Sequence, residues 1–175
     1  MRNLLTIVAA SLGVAAASSA YGQTQDPDAL IPVNVSVRLG IGLPLSNQLR
    51  NYSSTLLAFG AEYQIDRSLL RAGKTYFALD FFKGDRSDTG YVIPFTINQR
   101  FYARQLTGGR RTYFFLGAGI GFLKGEENWT QTFIGRGGVG AELGERIFLE
   151  GALTLGDKRR DISADNIGLY LGYRF

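Results

Sequence analysis

Residues 166–175, the last ten of this 175-residue chain, alternate without a break. Ile167, Leu169, Leu171, Tyr173 and Phe175 fall on one face of an extended strand, and Asn166, Gly168, Tyr170, Gly172 and Arg174 fall on the other. Successive side chains of a strand point to opposite sides, so this pattern separates an apolar surface from a polar one. The chain stops on the aromatic residue, with no polar tail behind it. Termini of water-soluble domains tend to be loose and solvated. An apolar final strand therefore predicts a partner strand, and a closed barrel supplies one in its own first strand.

Seven further segments carry the same two-residue period. The first covers about residues 32–43, where Val33, Val35, Val37, Leu39, Ile41 and Leu43 alternate with Asn34, Ser36, Arg38, Gly40 and Gly42. A tilted strand needs about 9–11 residues to cross a membrane, and this segment is long enough. The others span about residues 54–65, 75–83, 90–104, 111–123, 132–143 and 147–155. Residues 44–53, rich in Asn, Ser and Gln, read as a loop, as do residues 124–131 around Trp129. Pro94 falls inside the fourth strand, where it cannot donate to a ladder, so a bulge or a local break is expected there. The fold class is thus all-β, an eight-stranded antiparallel up-and-down transmembrane β-barrel.

Alternation alone does not say which face turns outward. The chain contains 23 glycines, and many fall on the polar face, among them Gly40, Gly42, Gly60, Gly117, Gly119, Gly121, Gly138, Gly140, Gly168 and Gly172. On a wetted exterior they would weaken the strands without return. Inside a narrow eight-stranded barrel they leave room for larger neighbours. The same face carries Arg38, Arg100, Arg136 and Arg174 against Glu62, Asp80, Glu142 and Glu150. Four cations and four anions are expected to form one ion network in the lumen, since desolvated charges require partners. Tyr76, Phe82, Tyr102, Tyr113, Phe115, Phe148 and Tyr170 also point inward and narrow any path. On the opposite face, Tyr63, Phe77, Phe101, Phe114, Tyr173 and Phe175 are expected to form one interfacial girdle, and Tyr91, Phe122 and Phe133 the other.

This ending, together with eight consecutive alternating segments, resembles the small OmpA/OmpX-like barrels of bacterial outer membranes, whose last residue is commonly Phe. The resemblance implies an outer-membrane location with both termini in the periplasm. It also implies that Tyr173 and Phe175 act as an assembly signal read by the barrel-assembly machinery. The N-terminus agrees with export. A basic Met1-Arg2-Asn3 precedes an uncharged stretch at residues 4–17, then small residues at two possible cleavage points, 20/21 and 22/23. Residues 1–22 read as a signal peptide, 23–31 as a lead-in and 32–175 as the barrel domain.

Several functions are disfavoured by what the sequence lacks. It has no Cys and no His, hence no disulfide framework, no lipoprotein cysteine and no histidine base of the usual hydrolytic kind. Glu142 and Glu150 could in principle form a catalytic carboxylate pair, but nearby inward arginines account for them. The glycine-rich run at residues 135–140 lacks the helix and Lys-Ser/Thr of a phosphate loop. No enzyme activity, cofactor or metal is expected. The net charge of +4 is too small and scattered for nucleic acid. Lys158, Arg159 and Arg160 could pair with phosphates of outer-membrane lipid, and Trp129 reads as an interfacial anchor. The expected role is structural or surface-interacting, for a monomer with a largely plugged lumen. Two alternatives remain: a narrow porin-like channel for small solutes, and a soluble periplasmic barrel binding an apolar ligand.

Overall fold

A computed structural model describes residues 34–65, 69–70, 73–84, 91–103, 111–124, 129–157 and 163–175. Residues 1–22, 23–31 and 158–160, to which the sequence assigns a signal, a lead-in and a lipid contact, lie outside them. The alternating segments form β1 (Val35–Pro44), β2 (Leu56–Gln64), β3 (Lys74–Gly84), β4 (Tyr91–Tyr102), β5 (Thr112–Lys124), β6 (Trp129–Glu142), β7 (Ile147–Gly156) and β8 (Asn166–Arg174). Each strand pairs antiparallel with its chain neighbours, and β8 returns to pair with β1 from Ser36↔Arg174 to Pro44↔Asn166. The ladder therefore closes on itself and leaves no free edge. The start of β1, the end of β8 and the strand ends joined between β2 and β3, β4 and β5, and β6 and β7 lie at one end, called here the terminus end. The other strand ends lie at the opposite end.

The two faces of every strand have opposite fates. Leu39, Leu57, Leu116, Phe133, Val139, Leu149, Leu171 and Phe175 are exposed outside, whereas Arg38, Glu62, Asp80, Arg100, Arg136 and Glu150 are buried within. A soluble barrel holding an apolar ligand would have the reverse arrangement. That alternative is overturned by the orientation of the strands. Of the expected girdle residues, Tyr63, Phe114, Phe133, Tyr173 and Phe175 are exposed, and Phe77, Phe101, Tyr91 and Phe122 are half-buried. Some of the half-buried rings are covered by each other, as Phe101 stacks on Phe114 at 4.8 Å and Phe81 leans on Tyr91 at 5.5 Å.

Three local features differ from the sequence expectation or sharpen it. Residues 44–53 are not all loop: α1 (Asn47–Tyr52) forms there, with the Ser46 side chain accepting from the Leu49 N–H at 3.2 Å. Six residues are too few to show a helical period, but the cap and the burial of Leu49 hold the turn in place. β6 begins at Trp129, three residues earlier than expected, because β5 extends to Lys124 and pairs with it. At Pro94 the break occurs without a bulge. The β3–β4 pairing stops at Leu79↔Phe95 and resumes at Phe82↔Val92, so the ladder is interrupted and the register is kept.

The inward glycines are matched to specific neighbours. A Cβ on Gly172 would overlap the Phe148 ring, one on Gly140 the Tyr113 ring, and one on Gly138 the Phe115 ring and the Gly151 carbonyl. In each case the ring belongs to the paired residue on the next strand. A ring can lie flat across the barrel wall only where its neighbour has no side chain. Gly135, on the outer face, is open: a methyl group there would meet nothing within 4 Å. Gly172→Ala is therefore expected to destabilise the barrel by about 1–3 kcal/mol through overpacking. Gly135→Ala should gain roughly 0.4–1 kcal/mol by limiting the unfolded chain. Urea titrations of the two variants in detergent micelles check the contrast.

Candidate functional site, the barrel lumen

The inward side chains near the middle of the barrel meet in one charge cluster organised by Arg38. Its Nε and Nη2 donate to Asp80, at 3.0 Å to Oδ1 from Nε and at 2.8 and 2.9 Å to Oδ1 and Oδ2 from Nη2. Its Nη1 donates to Glu62 Oε1 at 2.5 Å and to Glu150 Oε1 at 2.7 Å. One guanidinium from β1 thus joins carboxylates from β2, β3 and β7. Two more arginines complete the cluster: Arg100 Nη2 donates to Glu62 Oε2 at 2.9 Å, and Arg136 Nη2 to Glu150 Oε1 at 2.8 Å. Three guanidiniums face three carboxylates, so the cluster is neutral.

Arg38 reaches Asp80 because of the residue between them. Arg38 pairs with Gly60, and Gly60 pairs with Asp80. A Cβ on Gly60 would overlap Asp80 Oδ1 and crowd Arg38 Nε. The missing side chain on β2 is the passage through which the β1 cation reaches the β3 anion. Aromatic rings brace the same cations. Arg100 lies between Tyr76 and Tyr113, at 4.4 and 4.5 Å from their ring centres. Arg38 faces Tyr170 at 4.8 Å, and Arg136 faces Phe115 at 4.9 Å. The rings exclude water and attract the cations through their electron-rich faces.

The eight charges expected to form a single network divide into two groups. Arg38, Glu62, Asp80, Arg100, Arg136 and Glu150 form the central one. Glu142 and Arg174 lie apart at the terminus end, where Arg174 Nη1 donates to Glu142 Oε1 at 3.0 Å. A third member there, Arg111, was not among the expected residues; its Nε donates to Glu142 Oε2 at 2.8 Å. Arg111 shares the inward parity of Tyr113 and Phe115, which is the signal that marks it, although it precedes the first residue of β5. The buried Phe148 ring lies between the groups, 5.9 Å from the Arg100 guanidinium carbon and 5.7 Å from that of Arg174. Glu142 and Glu150 therefore belong to separate groups, each held by arginine, and do not face one another as an acid and base would.

Beyond the central cluster, toward the opposite end, the lumen turns largely apolar, with Thr132, Thr154 and Asn166 buried among the apolar side chains. Leu56, Phe82, Val92, Leu123 and Ile134 are each at most 1% exposed. Leu49 of α1 and Ala164 from the β7–β8 connection join the same buried cluster. The Leu45 N–H donates to the Asp165 carbonyl at 2.9 Å, tying the β1–β2 connection to the β7–β8 connection. From the terminus end inward, the lumen therefore holds a rim of Glu142 with two arginines, an aromatic ring, a neutral ion cluster and an apolar layer. Among the described residues, no group of His, Cys, Asp and Glu is placed to hold a metal ion. The three carboxylates that converge do so on a guanidinium. Tyr173 and Phe175 pack edge to face at 5.2 Å on the outside of the terminus end, and Arg146 Nη1 donates to the Tyr173 hydroxyl at 3.0 Å.

No protein-family model and no curated protein sequence matches the chain. Solved structures do. The outer membrane protein Ail of Yersinia pestis, the attachment invasion locus protein, is similar in two structures. Its backbone structure in phospholipid bilayer nanodiscs has a TM-score of 0.52 and 12% identity, covering 81% of this chain and 98% of that one. Its crystal structure has a TM-score of 0.51 and 15% identity, covering 81% and 97%. The N-terminal β-barrel domain of Pseudomonas aeruginosa OprF follows with a TM-score of 0.49 and 16% identity, over 82% and 99%. At such identities the Ail likenesses establish the fold and nothing finer. By architecture the chain is a small eight-stranded transmembrane β-barrel of the kind found in outer membranes.

The energetics of the cluster make a sharp expectation. Removing one member of a buried ion network leaves its partners charged and desolvated, which costs roughly 3–5 kcal/mol. Arg38→Met should lose about that much, since Asp80 loses its hydrogen-bonding arginine and two guanidiniums are left for three buried carboxylates. Arg111→Gln should lose about 1 kcal/mol or less, because its side chain is 42% exposed. Gly60→Ala should destabilise by itself yet add little to Arg38→Met, since both disrupt the same contact. Urea unfolding of the single and double variants reads all three.

Proposed function

We propose that the protein is an outer-membrane β-barrel with a structural or surface-interacting role, exported by residues 1–22 and acting as a monomer whose lumen does not conduct. The observation that carries this reading is the filled lumen. A water path through the barrel would have to pass the Arg38 cluster and then the apolar layer of Leu56, Phe82, Val92, Leu123 and Ile134. Burial on that scale leaves neither hydrated charges nor an open column, and both are features of conducting pores. Exposed apolar side chains around the whole circumference support a hydrocarbon environment. A closed ladder supports it too, because strands in lipid must satisfy every backbone group internally.

The reading assigns Tyr173 and Phe175 to recognition by the barrel-assembly machinery. It assigns Lys158, Arg159 and Arg160 to contacts with lipid phosphates at the opposite end, and no catalytic role to any residue. Residues 23–31 serve as a lead-in to the barrel at 32–175. The rival reading is a narrow channel for small solutes, and conductance separates the two. Purified protein in planar bilayers is expected to give no large, stable steps. Regular long-lived openings would overturn the plugged-lumen reading in favour of the channel. Membrane placement has its own test. Leu39 is 60% exposed at mid-strand, and an arginine on the lipid face near the bilayer midplane costs roughly 2–4 kcal/mol. Leu39→Arg should lower folding stability in vesicles by that amount, and a neutral result would count against lipid at this surface.

A further inference from the structure

The lipid-facing surface near the terminus end holds two polar side chains that a membrane should not tolerate. Thr75 on β3 and Gln99 on β4 are paired neighbours and share the outward parity of Phe77, Leu79, Phe95 and Ile97. Neither is exposed: Thr75 is 0% and Gln99 8% accessible. The Thr75 hydroxyl donates to Gln99 Oε1 at 2.6 Å and accepts from the Leu69 N–H at 2.8 Å. The Leu69 backbone thus lies against the outer side of the barrel wall at Thr75. Gly73, just before β3, lies close against β4. It has φ of 92°, and a Cβ there would run into the Arg100 carbonyl oxygen on β4.

Two exposed apolar side chains, Leu69 and Leu70, are described beside this contact. Leu69 is 69% and Leu70 54% exposed, among the largest exposures of any apolar side chain described. Tyr63 of the outer apolar belt, paired with Phe77 two residues along β3 from Thr75, is 52% exposed. Exposed Lys74, the first residue of β3 and the chain neighbour of Thr75, carries a charge of the sign that suits phosphate. A turn that merely closed a hairpin in water would have no reason to bury a hydrogen-bonded polar pair beside two exposed leucines. In a leaflet the same arrangement shields Thr75 and Gln99 from hydrocarbon and adds apolar area to the interface.

We propose that Leu69 and Leu70 form an interfacial anchor that inserts into the phospholipid leaflet at the terminus end, clamped to the barrel wall by the bond from the Leu69 N–H to Thr75, which is itself bonded to Gln99. The inference rests on the membrane reading above, so the experiment separates the two. A Trp129→Phe background removes the sole tryptophan of the chain. Leu70→Trp reports on the anchor, and Leu39→Trp, at mid-strand, reports on the barrel wall. Both proteins are refolded into phosphatidylcholine–phosphatidylglycerol vesicles with bromine at shallow or deep acyl positions, and folding is checked by heat-shifted gel mobility. Shallow bromines are expected to quench the Leu70→Trp signal severalfold more than deep ones, with blue-shifted emission, while deep bromines quench Leu39→Trp. Quenching at position 39 with unquenched, water-like emission at position 70 overturns the anchor alone and leaves its leucines to a water-side partner. Failure of both to quench in folded protein overturns the membrane reading, and the anchor with it. Thr75→Val supplies a second measurement in the Leu70→Trp protein: loss of the clamp should weaken the shallow quenching, and unchanged quenching would remove Thr75 from the proposal.

Discussion

Closure of the ladder between β8 and β1 is the constraint from which the rest of this structure follows. A barrel without edges pairs its backbone groups strand to strand, so its outside can be wholly apolar. Closure also fixes an inside. With only eight strands that inside is narrow, and every inward side chain has to share it with those of the strands across the lumen. The inward residues then face a choice between small side chains and mutual satisfaction. This chain uses both, with glycines beside large rings such as Phe148 and Tyr113, and carboxylates beside its guanidiniums.

Arg38 shows how the two solutions depend on one another. Its guanidinium satisfies carboxylates from three strands, and it can do so only because Gly60 offers no side chain in between. Buried ion pairs seldom add much net stability, since desolvation offsets the attraction. Their effect here is geometric. The cluster ties β1 to β3 and β7 across the lumen, through contacts that the backbone ladder does not make. The layer beyond it, largely apolar with Thr132, Thr154 and Asn166 among its members, completes a plug of two chemistries, one ionic and one mostly uncharged and apolar. A solute would need different properties to pass each of them.

The outer surface follows the same logic of satisfaction. Where it carries polar side chains, as at Thr75 and Gln99, they bond to each other and Thr75 takes a backbone donor from Leu69. Where Pro94 interrupts the β3–β4 ladder, the register continues unchanged and the strand still pairs with β5 through Gly121. The barrel therefore absorbs a residue that cannot donate without inserting the extra residue of a bulge.

Strand number, strand order and the fate of each face were legible in the linear sequence, because a period of two assigns alternate residues to opposite sides whatever the partners are. The inward charges could be named in advance for the same reason, from Arg38 to Arg174. Their grouping could not. Which carboxylate an arginine meets depends on register and on contacts across the lumen, and these joined five residues around Arg38 while leaving Glu142 with Arg174 and Arg111 behind the Phe148 ring. The short helix α1 and the contact of Leu69 with Thr75 were equally hidden, since neither segment is long enough to show a period. Local chemistry thus determined that this chain would form a barrel with its grease outside. Only long-range packing decided how the lumen is closed, because closure is set by distances between residues far apart in the chain.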